Sequence, residues 1–87
     1  MNILEYDHDK SGQNVLKHVI DFIAAQLIWE DGRMVEVPAR PEGESRSLVM
    51  GKIHDKLWAA VITHQNDRIR AISVRRARLE EVRIYEE

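Results

Sequence analysis

Ser47–Val74 reads SLVMGKIHDKLWAAVITHQNDRIRAISV, and the reading of this stretch decides the fold. SLVMGKI, LWAAVITH and RIRAISV have the composition of strands, and the intervening HDK and QND have the length and residue types of tight hairpin turns. The pattern predicts three successive antiparallel strands. LWAAVIT is apolar at nearly every position, as a central strand covered on both faces would be.

Working outward, RMVEV (33–37) reads as another strand, and WEDGR before it as a turn built on Asp31-Gly32. PARPEGES (38–45), with two prolines, one glycine and mixed charges, is the expected mobile loop. At the other end NILEY suggests a short strand, Ile3 alternating with Glu5 around Leu4, after which Asp7 or Asp9 supplies a helix N-cap. From Lys10 onward Val15, Leu16, Val19, Ile20, Ile23 and Leu27 recur at spacings of three and four, a wide apolar stripe running to about Trp29. One long helix fits it, and so do two shorter ones meeting near His18 to Asp21. ARLEEVRIYEE (77–87) returns to helical character, with Leu79 and Val82 as a narrow stripe. The order β-α(α)-β-β-β-β-α predicts an α+β fold, a mainly antiparallel sheet of four to five strands with one or two N-terminal helices and a C-terminal helix. Helices on one face would leave the other face or a sheet edge for function.

Eighty-seven residues fit one domain over 1–87, small enough that its stability should be modest. Without cysteine there is no disulfide, no thiolate zinc site and no thiol nucleophile, which fits a reducing cytoplasm. The longest strongly apolar run, Val19 to Trp29, is too short to span a bilayer, so no membrane association is expected. The net charge is −2, yet it is uneven: residues 1–50 hold five Lys or Arg against nine Asp or Glu, and residues 51–87 hold eight against six. Five arginines fall between Arg68 and Arg78 without one acidic residue among them. A pI near 6.1 argues against counterion-driven binding to duplexes, so a polyanion would have to meet this local patch.

Three blocks carry a resemblance. D-x-x-K-x-x-x-N-x-x-K-H spans Asp7 to His18, R-x-x-x-x-G spans Arg46 to Gly51, and I-R-x-I-S-x-R-x-A with a later E-x-x-x-Y occupies Ile69, Arg70, Ile72, Ser73, Arg75, Ala77, Glu81 and Tyr85. Together they resemble the BrnT toxin family from one end of the chain to the other. The resemblance implies a RelE-like fold and a cytoplasmic, metal-independent endoribonuclease of a type II toxin-antitoxin pair, without cofactors, that inhibits translation and growth. It also implies a cognate BrnA-like antitoxin that neutralises the toxin in a hetero-oligomer and through which alone promoter DNA is bound. One departure stands out: the family reads K-H-G-V-x-F, whereas Lys17-His18 is followed here by Val19-Ile20-Asp21-Phe22, without the glycine that normally ends the first helix.

Metal-free RNA cleavage requires removal of the 2′-hydroxyl proton, stabilisation of extra charge on a five-coordinate phosphate, and protonation of the departing 5′-oxygen. Guanidinium donors suit the second need, which nominates Arg46, Arg70 and Arg75. His18 has an intrinsic pKa near working pH, whereas Lys17, which completes the catalytic set, and Tyr85 or Glu81 would reach it only if their surroundings shift them. Adjacent helical side chains diverge by about 100°, so both can line one cleft only near a helix end. A regular strand sends Arg70 and Arg75 to opposite faces; a bulge near Ser73, or a strand ending there, would reunite them, and the failure of alternation between Ala71 and Val74 supports some irregularity.

Asn14, Ser73, Arg76, Glu81 and Tyr85 are candidate RNA contacts, against plainer readings. Asn14 and Ser73 are at least as well suited to fixing the fold by hydrogen bonding, and Arg68, Arg76 and Arg78 read as solvated charges or helix partners. His18 is open between a site group and a buried, hydrogen-bonded histidine. His8, His54 and His64 are scattered without metal-ligand spacing, so no metal site is expected, and Trp29 and Trp58 read as core. A non-catalytic RNA- or antitoxin-binding module, or a purely structural subunit, remain alternatives to the enzyme.

Overall fold

A computed structural model describes residues 4–39 and 46–87; Ile3 and residues 40–45 of the expected loop fall outside them. The three predicted strands form as β3 (Arg46–Ile53), β4 (Lys56–Gln65) and β5 (Arg68–Arg76). Each hairpin turn opens on a residue with positive φ, His54 (59°) and Asn66 (58°), types that tolerate the left-handed region better than most. β2 (Val35–Pro38) adds antiparallel to β3, and β1 (Leu4–Glu5) adds parallel to β5. Among the described residues the sheet order is β1-β5-β4-β3-β2. The all-apolar β4 lies at its centre, with Ala59, Ala60 and Ile62 fully buried.

Two helical segments cover one face. α1 (His8–His18) is capped by Asp7, whose carboxylate accepts from Asp9 N and Lys10 N. α2 (Phe22–Ala25) runs into a 3-10 turn (Gln26–Glu30) and is capped by Asp21, which accepts from Ala24 N at 2.8 Å. Phe22, Ala25 and Ile28 pack there against Val49, Ala60, Ile62, Ala71 and Val74. The 3-10 turn presses so closely on β3 that a Cβ on Gly51 would lie 2.8 Å from Ile28 Cγ2 and 3.0 Å from its carbonyl oxygen. Only glycine fits that contact. α3 (Leu79–Glu86) packs on the opposite face from α1 and α2: Glu81 meets Arg75, whose partner Ala59 stands on the side of the sheet away from Ala60 and Ile62.

Of the helical stripe read from the sequence, Ile20 enters the core and the rest does not. Val15, Leu16, Val19, Ile23 and Leu27 are 42–85% exposed, and within α1 the buried side chains are Ser11 and Asn14. The reason is polar. Asn14 Nδ2 donates to Ile20 O at 2.7 Å and to Val74 O at 2.8 Å, and its Oδ1 accepts from Val74 N at 3.1 Å. Ser11 Oγ accepts from Phe22 N at 3.0 Å. These bonds rotate α1 about its axis, placing the polar pair inward and the aliphatic residues outward. The helix breaks without the glycine: Val19 itself takes the left-handed cap conformation, φ 64°, and donates its N–H to Val15 O at 3.0 Å.

Candidate active site

β5 carries the expected bulge. Val61 and Ile62 are neighbours on β4, yet they pair with Ser73 and Ala71, so Ile72 is left without a partner. Side chains of paired residues share a sheet face. Ala71 and Val74, three apart, therefore both reach the core, and Arg70, Ser73 and Arg75 project together from the other face. Arg46 joins them through the register Arg46↔Thr63↔Arg70 across three strands. Two strand spacings put the Cα atoms of Arg46 and Arg70 about 10 Å apart, and the four-residue step on β4 puts those of Arg70 and Arg75 about 13 Å apart.

Arg46 and Arg75 line one hollow of about 530 Å³, together with Arg78, Glu80 and Glu81 and apolar walls from Leu48, Val61 and Ile84. Arg75 is held by a fork: its two terminal nitrogens each donate to one carboxylate oxygen of Glu81 at 2.7 Å. Nη1 also donates to Arg76 O at 3.3 Å. Glu81, 5% exposed, accepts from Arg78 N at 2.7 Å as well, which ties the start of α3 to the end of β5. The hydrogen bonds from Arg75 hold the Glu81 carboxyl below its ordinary range against the opposing effect of burial, and the same bonds raise the pKa of Arg75. Arg75 is thus aimed and charged, with its charge matched.

Lys17 and His18 occupy a separate hollow of about 200 Å³ with Lys10, Gln13, Asn14, Ile72 and Ser73. Helix α1 ends at His18, which lets the two adjacent side chains line one cleft. Ser73 is the link: its strand position belongs to the arginine face and its side lines the Lys17–His18 hollow. Arg70 stands on the same face but lines a third hollow, with Leu4, Glu5, Tyr6 and His8.

A family model of sequences described as "Ribonuclease toxin, BrnT, of type II toxin-antitoxin system" matches residues 6–81. The chain belongs to the BrnT family. A search of curated proteins finds no match. Membership makes it a ribonuclease toxin of the type II toxin-antitoxin class, for which an antitoxin partner and an RNA target follow.

Several residues of the BrnT-like blocks have structural duties. Asn14 is committed to the backbone of Ile20 and Val74. Tyr85 donates its hydroxyl to Asp31 Oδ2 at 2.6 Å and lies with Arg33, Lys52 and Glu86, apart from the Arg46–Arg75 hollow. Arg76, outside those blocks, pairs with Trp58 on the face that α1 and α2 cover and sets its guanidinium 5.4 Å from the Trp58 ring centroid. Lys52 N and Arg33 N also donate to Asp31, so this carboxylate binds β3, the turn after Gly32 and α3. Burial raises its pKa, but these hydrogen bonds outweigh it and leave Asp31 below the usual carboxylate value; accepting from Tyr85 pushes that phenol up.

The sequence reading passed over Thr63, midway between Arg46 and Arg70, whose buried Oγ1 has no hydrogen-bond partner among the described residues. Arg78, read as a solvated charge or a helix partner, stands at the N-cap of α3 and lines the arginine hollow. Strand register was the missing signal for Thr63, and the place where α3 begins for Arg78. Among the described residues no cluster of three His, Asp or Glu is disposed to hold a metal ion, and no helix is long and apolar enough to cross a membrane.

Proposed function

We propose that this BrnT-family chain is a metal-independent endoribonuclease whose Arg46–Arg75 hollow receives the scissile phosphodiester. The observation that carries this reading is that two guanidinium groups from strands remote in sequence share one concavity, Arg75 fixed in direction by Glu81. Donors oriented before the reaction stabilise charge as it develops on the phosphoryl oxygens without reorganising, usually the largest catalytic contribution. Among the described residues Arg75 spends three N–H groups on Glu81 and Arg76 O, and the other two of its five are offered to substrate.

Proton transfer falls to His18, with Lys17 beside it, acting from the cleft that Ser73 joins to the arginine face. Attack by the 2′-oxygen forms the new P–O bond as the bond to the 5′-oxygen breaks; the 2′-proton passes to a base and the leaving oxygen takes one from an acid. Arg70 and Ser73 hold the strand on either side of the reacting phosphate, and Glu81 acts through Arg75. The full reading is a cytoplasmic one-domain toxin that inhibits translation and growth, neutralised by a BrnA-like antitoxin through which promoter DNA is bound.

One observation favours a second reading, a non-catalytic RNA- or antitoxin-binding module: the Arg75 charge is already matched by Glu81, and the Lys17–His18 cleft is a hollow apart. Incubating purified protein with single-stranded RNA in excess chelator separates the two. Cleavage that Arg46→Ala abolishes supports the enzyme; salt-dependent binding of RNA that stays intact supports the module.

A further inference from the structure

Arg70 stands on the arginine face, half-buried, and is bound to nothing there. Among the described residues its guanidinium makes no hydrogen bond and no ion pair, unlike that of Arg75. The cause lies in its neighbours. Glu5, the register partner of Arg70 on β1, turns its Oε2 to Arg68 Nη1 instead. Asp7 feels the charge of Arg70, yet its carboxylate caps Asp9 N and Lys10 N, and those two bonds are what chiefly hold it below its ordinary pKa. The hollow that Arg70 lines, about 430 Å³, is otherwise walled by Leu4, Glu5, Tyr6 and His8. Tyr6 and His8 set their ring centroids 5.4 Å apart at 74°, so they meet as a corner and not as a stack. Behind them the fully buried Phe22 braces Tyr6, with ring centroids 5.8 Å apart at 85°. Packing against the core therefore fixes the corner before anything enters it.

We propose that the hollow of Glu5, Tyr6, His8 and Arg70 is a base-binding subsite that receives an unpaired guanine of the RNA near the phosphate that is cut. The inference rests on the ribonuclease reading for the RNA and deepens the part given there to Arg70, which holds the strand through a base. Single-stranded RNA is recognised by stacking its splayed bases on aromatic side chains and by hydrogen bonds to their edges, and this hollow offers both. Guanine suits all three kinds of group. Its O6 and N7 accept together from a guanidinium, its N1–H and N2–H donate to a carboxylate, and its two-ring plane fills an aromatic corner. Glu5 can take that part because its Oε1 accepts no hydrogen bond among the described residues. A phosphate suits the hollow less well, since the carboxylates of Glu5 and Asp7 stand beside Arg70 and repel an anion. Arg70 shares its face with Ser73 and Arg75, so a strand laid across that face reaches the hollow.

The test uses the full chain and short oligouridylates, plain or carrying one guanosine, adenosine or cytidine. Affinities are measured by fluorescence anisotropy in an Arg46→Ala background, which keeps the RNA whole, and cleavage of the same oligomers by wild type is followed in parallel. One guanosine should tighten binding roughly tenfold over plain oligouridylate. Glu5→Gln should bring the two affinities together, and His8→Ala should narrow the gap between them. The ratio is the readout, because damage to the fold weakens both RNAs alike and leaves their ratio as it was; circular dichroism follows folding separately. Equal affinity for all the oligomers, a preference for another base, or a guanosine preference that survives Glu5→Gln overturns the subsite even where wild type cleaves RNA normally. A guanosine preference that Glu5→Gln erases, in a protein whose wild type leaves every RNA intact, keeps the subsite and sinks the ribonuclease reading instead.

Discussion

Asn14 and Val74 stand sixty residues apart, and the side-chain amide of one pairs with the backbone of the other as a neighbouring strand would, donating at 2.8 Å and accepting at 3.1 Å. β4 pairs with Val74 on one side, but on the other edge no strand lies beside it among the described residues, because β1 pairs only with Ile69 and Arg70. The asparagine therefore closes a sheet edge and docks α1 in one stroke. Asn14→Ala would leave the Val74 N–H and C=O buried without partners, at about 1–3 kcal/mol each. Urea unfolding should show a total loss of about 3 kcal/mol, and a change below about 0.5 kcal/mol would contradict this account of how α1 is held.

Val19→Gly should stabilise the protein. The left-handed conformation costs a residue with a Cβ about 1–2 kcal/mol, against which glycine gives up about 0.5–1 kcal/mol of chain entropy. The net expectation is a gain of about 0.5–1 kcal/mol, or a rise in Tm of a few degrees for a chain of this size. A lower Tm would mean that Val19 makes contacts in the monomer that its 83% exposure denies.

Glu81→Ala removes the acceptor for both terminal nitrogens of Arg75 and for Arg78 N at once. Because the Arg75 side chain keeps 20% exposure, the loss should be about 2 kcal/mol, below the range for fully buried pairs. A double-mutant cycle with Arg75→Ala should show strong coupling, and additive effects would contradict the pairing.

Stability should fall at both ends of the pH scale. The Asp31 and Glu81 carboxyls are lowered in the folded protein, so each contributes stability above its unfolded pKa that is lost as pH falls through the folded value, over about pH 5 to 2. The Tyr85 phenol is raised, so its contribution is present below about pH 10 and disappears as pH climbs through the folded value. Asp31→Asn should flatten the acid limb, and Tyr85→Phe the alkaline one, in stability measured against pH. An unchanged acid limb in Asp31→Asn would place the acid sensitivity elsewhere.

The sheet was the legible part of the sequence, for physical reasons. A central strand must be apolar on both faces, so LWAAVIT announced its position, and the failed alternation between Ala71 and Val74 announced an irregularity, a bulge or a strand end, which the pairing of Ala71 and Ser73 and the run of β5 to Arg76 decide for the bulge. The orientation of α1 was hidden because periodicity counts greasy side chains and not hydrogen-bond partners. Ser11 and Asn14 go inward since backbone groups of Phe22, Ile20 and Val74 await them, which is tertiary information. The break at Val19 was legible only as one of two open readings, two shorter helices meeting near His18 to Asp21, because no glycine marks it and only the Asp21 cap hints that a new helix begins. Of the arginines, the relation of Arg70 to Arg75 could be argued from the bulge, whereas the meeting of Arg46 with Arg75 depends on hairpin register and on where α3 lands.

The central claim is that guanidinium groups in the shared hollow stabilise the phosphate as it gains charge, and the single-turnover cleavage rate of Arg46→Ala on single-stranded RNA in excess chelator tests it most directly. The account predicts wild-type cleavage under those conditions and a fall of roughly a hundredfold or more in the variant, with its fold retained. A variant that cuts as fast as wild type, or a wild-type protein that leaves the RNA whole, would contradict it.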